Sequence, residues 1–118
     1  MKYMLLVYMD EQAMTDEERE HCYVESAQLT QDLNAKGQYL GAGPLNSVST
    51  ATSVRVREGQ RLVTDGPFAE TREQLGGYYV IEAADLDEAI SIAERTPPAR
   101  FGTIEIRPVM EIQGLPEN

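Results

Sequence analysis

The chain has one cysteine, Cys22, and one histidine, His21, among 118 residues. A single thiol cannot close an internal disulfide. One imidazole and one thiol cannot build a metal shell without several carboxylates. No metal and no cofactor is therefore expected, and the lone thiol fits a reducing cytoplasm. Cations are scarce too, with 10 Lys and Arg against 20 Asp and Glu, for a net charge of −10. A field of that sign repels phosphate backbones and anionic lipid heads, which disfavours direct nucleic-acid or membrane-surface binding. It leaves room for a small molecule held at a local arginine, or for a basic protein partner. Long apolar runs are missing. The opening MKYMLLVYMDEQ has a single Lys and a short apolar stretch that ends in acids. It is too short for a secretion signal and far too short to span a membrane, and it reads as a strand.

What is present is a regular alternation of strand and helix signals. Lys2 to Met9 has strand length, and both of its alternating sets are apolar, Tyr3/Leu5/Val7 and Met4/Leu6/Tyr8. Such a strand is covered on both faces. Thr15 and Glu18 form a capping box, followed by a helix to about Ala35 that Gly37 stops. On its wheel Cys22, Tyr23, Ser26, Leu29, Thr30 and Leu33 share one face. QYLGAG, Gln38 to Gly43, is a short strand. TSVRVR and RLVT, joined through Glu58-Gly59, make a hairpin that leads directly into Asp65-Gly66-Pro67-Phe68. LGGYYVIE, Leu75 to Glu82, is the next strand. Asp85 and Glu88 cap a second helix with an apolar stripe at Leu86, Ala89, Ile90 and Ala93, and Pro97-Pro98 ends it. Thr103 to Ile112 is the last strand, with Pro108 marking an edge or a bulge.

Two β-α-β units around a hairpin define an α+β fold, the ferredoxin-like βαββαβ sandwich with an inserted hairpin. Residues 1–118 form one domain of ordinary size, with a tail at 113–118 that frays. In this fold both helices cover one sheet face, yet the first strand is apolar on both. A second copy packing sheet against sheet covers the other face economically, so a homodimer is predicted. The alternative is that the hairpin folds over that face.

Several residues are candidates for chemistry. Asp65, followed by Gly66 and Pro67, makes a tight turn at a strand end. It either caps nearby amides or is aimed into a cleft as a general base or ligand anchor. Phe68 is a core plug or a pocket wall. Arg72 is the nearest cation for an anion, or for pairing with Asp65 or Glu70. Gly76-Gly77 permits a close backbone approach. Tyr78 and Tyr79 point to opposite faces, one into the core and one with its hydroxyl free for a ligand. Arg107 faces away from Ile104 and Ile106, toward either a dimer cavity or a surface partner such as Glu105. His21 is the one candidate imidazole base, but it lies with Glu17, Glu25, Gln28 and Asp32 on a polar helix face. It also points about 100° away from its neighbour Cys22, which rules out a dyad between them. GAGPLNS lacks the spacing and lysine of a phosphate loop, and no helix follows it.

The run LVTDGPFAETREQLGGYYVIEA, with MKYMLLVY before it and TIEIRPV after it, resembles the YCII-related family, most closely the branch named for its Asp-Gly-Pro-Phe motif. The resemblance runs from about Met1 to Val109 and implies a ferredoxin-like fold assembled as a dimeric α/β barrel. Many members have no known activity. Some are proposed enzymes because a His–Asp pair sits in their cleft. Asp65 matches the acid of that pair, whereas His21 is on the matching helix but turned outward. Related domains also occur beside alternative sigma factors, which implies a regulatory role.

Two functions follow as expectations. One is a cofactor-free small-molecule enzyme or ligand-binding protein with a cleft site around Asp65. Gly66, Pro67, Phe68, Arg72, Tyr78 and Arg107 would be its ligand-binding residues and His21 a distant second base. The other is a non-catalytic module for a transcription-related protein partner such as an alternative sigma factor. A blander reading leaves Asp65 bracing its turn.

Overall fold

A computed structural model describes residues 1–116. The elements in chain order are β1 (Lys2–Met9), α1 (Asp16–Ala35), β2 (Tyr39–Pro44), β3 (Thr52–Arg57), β4 (Gln60–Asp65), β5 (Gln74–Glu82), α2 (Leu86–Arg95) and β6 (Thr103–Pro108), with short 3₁₀ turns at Val48–Thr50 and Pro97–Arg100. The first helix starts where the capping box requires. Thr15 Oγ1 accepts from the Glu18 amide at 3.1 Å, and the Glu18 carboxylate accepts from the Thr15 amide at 3.0 Å. Asp85 caps α2 by accepting from the Glu88 amide at 2.9 Å.

Four strands form an antiparallel sheet in the order β2-β5-β1-β6, and β3-β4 form a separate ribbon. This order, with both helices on one face, is that of a ferredoxin-like α+β fold. The register aligns Leu5 with Tyr79 and Ile106, and Tyr3 with Ile81. These side chains meet Leu29 and Leu33 of α1 and Ala89, Ile92 and Ala93 of α2 in one core. Met4, Leu6 and Tyr8 alternate onto the opposite face and are only half-buried. They share it with Tyr78, Val80, Glu105 and Arg107. Among the described residues no helix covers that face.

The hairpin turns through Glu58 and Gly59 with φ of 51° and 74°. This is the doubly positive geometry that suits a two-residue ribbon turn. The ribbon projects. Val54, Val56, Leu62 and Val63 are 45–63% exposed. The radius of gyration is 16.0 Å, above the roughly 13 Å of a compact domain of about 100 residues. Within one chain, then, the hairpin does not close over the open sheet face.

The last strand is shorter than the sequence predicts, ending at Pro108 rather than Ile112. The cause is the partner. Tyr3 opposes Pro108 and the Val109 amide reaches the Lys2 carbonyl, after which β1 has no residues left to pair with positions 110–112. Of the predicted tail, residues 113–116 lie beyond the sheet and are exposed, and 117–118 fall outside the described residues. Among the described residues no helix is long and apolar enough to cross a membrane.

Candidate functional site

The sheet-facing side of α1 changes character along its length. Leu29 and Leu33 fill the space to the sheet, whereas Cys22, Ser26 and Thr30 are too small to do so. Opposite them β5 carries Gly77, where an added Cβ would lie 3.0 Å from the Gly43 carbonyl oxygen, and β2 carries Ala42. Small residues thus face each other across the layers, and a cleft of about 660 Å³ remains between α1 and the β2/β5 end of the sheet. This lies in the usual size range of small-molecule sites.

Two hydroxyls meet in its wall. Tyr79 comes up from β5, and its O–H donates to Ser26 Oγ on α1 at 2.9 Å. Burial raises the Tyr79 phenol above its usual 10.0, with the Ser26 bond pulling the other way. Cys22 is also pushed up by burial, and Arg100 opposes that shift. Both groups are neutral at physiological pH. The Thr30 hydroxyl is committed to the Ala27 carbonyl at 2.8 Å.

The mouth is built from two distant loops. Glu11, just after β1, accepts from Ser47 Oγ at 2.8 Å through one oxygen and from the Val48 amide at 3.0 Å through the other. This clamps the β2–β3 connection, the GPLNS segment, over the cleft. Arg19 lines the same rim. Its guanidinium donates to Asp16 at 3.2 Å and to the Glu11 carbonyl at 3.1 Å.

Most residues singled out from sequence stand elsewhere. Asp65 is exposed at the end of β4, opposite Thr52. Gly66 has φ of 108°, where only glycine is unstrained. Its amide donates to the Ala51 carbonyl at 2.7 Å, and its carbonyl accepts from Ser53 Oγ at 2.8 Å. With Pro67 it closes the base of the hairpin. Phe68 is 76% exposed, with the Arg55 guanidinium 4.8 Å from its ring centre. Arg72 stands 3.9 Å from Asp10 on the surface. His21 is exposed on α1 and lies 3.2 Å from Glu25, whose carboxylate also receives Arg100 at 3.0 Å. Arg107 donates to Glu105 at 2.6 Å on the open sheet face. This pairing lowers the Glu105 carboxyl and raises the Arg107 guanidinium. Tyr78 lies over Gly43 at the cleft's sheet edge. Of the eight residues expected to be catalytic or ligand-binding, Tyr78 alone is among the cleft-lining residues, beside Gly76, Gly77 and Tyr79 of the same strand, whereas Asp65 and Arg72 lie outside the lining. No group of three or more His, Cys, Asp and Glu side chains among the described residues is placed to hold a metal ion.

The sequence alone does not single out Glu11, Arg19, Ser26, Ser47 or Tyr79 as a site. Ser26 was legible on the apolar face of its helix and Tyr79 as one of a pair of which one enters the core, but nothing local marks a void. The Glu11–Ser47 contact joins residues 36 apart.

A ferredoxin-like sandwich with a cleft beneath its first helix defines the class: an α+β fold with a pocket of small-molecule size. The YCII-related domain model matches residues 1–113, and the chain belongs to that family. An uncharacterised protein of Rhizobium meliloti (strain 1021) is 37% identical over 118 residues, covering 92% of each chain. In fold the chain is similar to 5-chloro-2-hydroxyhydroquinone dehydrochlorinase from Burkholderia phenoliruptrix AC1100, solved in complex with 2,5-dihydroxybenzoquinone. The TM-score is 0.58 at 15% identity, over 96% of this chain and 97% of the other. That likeness is one of fold.

Proposed function

We propose that the protein binds a small organic molecule in the cleft between α1 and the sheet, as a ligand-binding protein or a cofactor-free enzyme. The observation that carries this is a 660 Å³ space walled by small side chains and provided with a Tyr79–Ser26 hydroxyl pair. The fold neighbour, named for a reaction on a small aromatic compound, supports the reading by analogy alone. The site moves from Asp65, whose exposed turn has a sufficient structural role, to the cleft. The motif at Asp65–Phe68 still supports placing the chain in the Asp-Gly-Pro-Phe branch. A cytoplasmic location belongs to the same reading, because Cys22 is a free, buried thiol.

The test is a thermal-shift screen of small metabolites on wild type, Asp65→Asn and the cleft-filling Ala42→Phe. A ligand that stabilises the first two and not the third is the expected outcome. A shift lost in Asp65→Asn and kept in Ala42→Phe would return the site to the turn and overturn this reading.

The uncovered sheet face supports a homodimer. Its half-buried Met4, Leu6 and Val80 make an apolar patch that two-fold assembly could cover. The exposed valine face of the hairpin supports a second reading, a protein partner such as a transcription component. A screen with no small-molecule hit, together with binding to a purified alternative sigma factor that Val54→Asp abolishes, would favour it.

A further inference from the structure

We infer that the cleft takes an uncharged ring compound with a carbonyl oxygen, held by the Ser26 hydroxyl. This rests on the cleft being the binding site, and it adds the chemical class of what enters.

Charge is the first argument. The deep wall is neutral: Ser26, Thr30 and Tyr79 carry hydroxyls, and the Cys22 thiol keeps its proton. The two charged residues lining the cleft stand at its mouth and are occupied. Both Glu11 oxygens accept from the β2–β3 loop. Arg19 is held by the Asp16 carboxylate through one nitrogen and the Glu11 backbone carbonyl through another, so one acid offsets its charge. An anion entering a chain of net charge −10 meets no uncommitted cation there. A cation would leave water for a wall of neutral hydroxyls, since the one lining carboxylate, Glu11, sits at the mouth with both oxygens held by the β2–β3 loop. Burying either charge without a partner is costly, and an uncharged molecule avoids that cost.

The hydroxyl pair gives the second argument. Two hydroxyls carry two hydrogens, and the Tyr79-to-Ser26 bond uses one of them. The other, on Ser26, has no acceptor among the described residues. Thr30 is already committed to the Ala27 carbonyl and Tyr23 is half exposed, so Ser26, tied to the buried Tyr79, is the sheltered α1 hydroxyl left to donate into the cleft. Its complement is an acceptor oxygen. Shape gives the third: small side chains face each other across the helix and sheet layers, with Ala42 and Gly77 on the sheet and Ser26 on the helix. A slot of that kind suits a ring.

Three probes of matched skeleton test this by calorimetry on the full chain: 1-tetralone, its hydrocarbon tetralin, and the anion 1-naphthoate. The expected result is that 1-tetralone binds roughly five- to tenfold tighter than tetralin, as one net hydrogen bond provides, with 1-naphthoate weakest. Ser26→Ala should bring tetralone and tetralin together. Ala42→Phe or, from the helix side, Ala27→Trp should abolish both. Tightest binding by naphthoate, a tetralone preference that survives Ser26→Ala, or no binding of tetralone at millimolar concentration would each overturn the class. If the preference fails while the cleft-filling variants still block a ligand from the metabolite screen, the cleft reading stands alone. If those variants block nothing, both fall.

Discussion

The Tyr79 hydroxyl of β5 donates to Ser26 Oγ of α1 at 2.9 Å, across 53 residues of sequence. It is the polar contact that holds the open half of the helix to the sheet. Tyr79→Phe should cost about 1 kcal/mol in urea unfolding, the usual net value of such a bond. The phenol is raised in the fold, so the folded chain keeps this proton at pH values where the unfolded chain releases it. Stability from this group is therefore full below about pH 10 and declines as pH rises further. Denaturation between pH 8 and about 11 should show a steeper alkaline loss in wild type than in Tyr79→Phe.

Cys22 is buried and its thiol is pushed up by that burial. Thiolate is the reactive form, so the native chain should react with an aromatic disulfide reagent far more slowly than the chain in guanidinium. Equal rates in the two conditions would show that α1 does not shield the thiol.

Glu11 is the clamp on the cleft mouth. Glu11→Ala removes acceptors from Ser47 Oγ and the Val48 amide. It should cost about 1–2 kcal/mol, comparable to losing a helix cap, and speed hydrogen exchange at the Val48 amide while leaving the Leu5 amide protected. Unchanged exchange at Val48 would mean the loop is held by other contacts.

The turn after β4 separates two roles that the sequence merges. Gly66→Ala forces a side chain into φ of 108° and should destabilise by roughly 1–2 kcal/mol. Asp65→Asn, on an exposed side chain, should stay within about 0.5 kcal/mol of wild type. Parallel urea curves decide this, and a large loss in Asp65→Asn would show that the carboxylate braces the turn.

For the open sheet face, sedimentation equilibrium should give twice the 13.2 kDa chain mass. Leu6→Asp, which places a carboxylate among Met4, Tyr78 and Val80, should return the mass to that of one chain while the circular dichroism of the fold persists.

The fold was largely legible because its signals are local. The Thr15–Glu18 box, the Glu58-Gly59 turn and the Asp85 cap each fix an element boundary within a few residues, and all three formed as their chemistry predicts. The last strand was read too long because its end depends on where β1 runs out, a fact held in a partner about 105 positions away. The cleft was hidden for a related reason. It arises where Ser26, Thr30, Ala42 and Gly77 fail to meet, and periodicity registers side chains that fill space rather than those that leave it. Asp-Gly-Pro-Phe drew attention because a sharp turn and a catalytic rim recruit the same residue types.

Strand β5 sets Tyr78 and Tyr79 on opposite sides of one sheet, the first on the uncovered face and reaching over Gly43 to the cleft's edge, the second inside the cleft wall. The strand is thus a shared wall, a single backbone thickness between two rooms. Anything that shifts Tyr79 moves the backbone carrying Tyr78. By thermodynamic reciprocity, a cleft ligand that changes self-association by some factor must have its own affinity changed by that same factor when the copies meet. A titration of ligand at several protein concentrations would then give a family of curves instead of one.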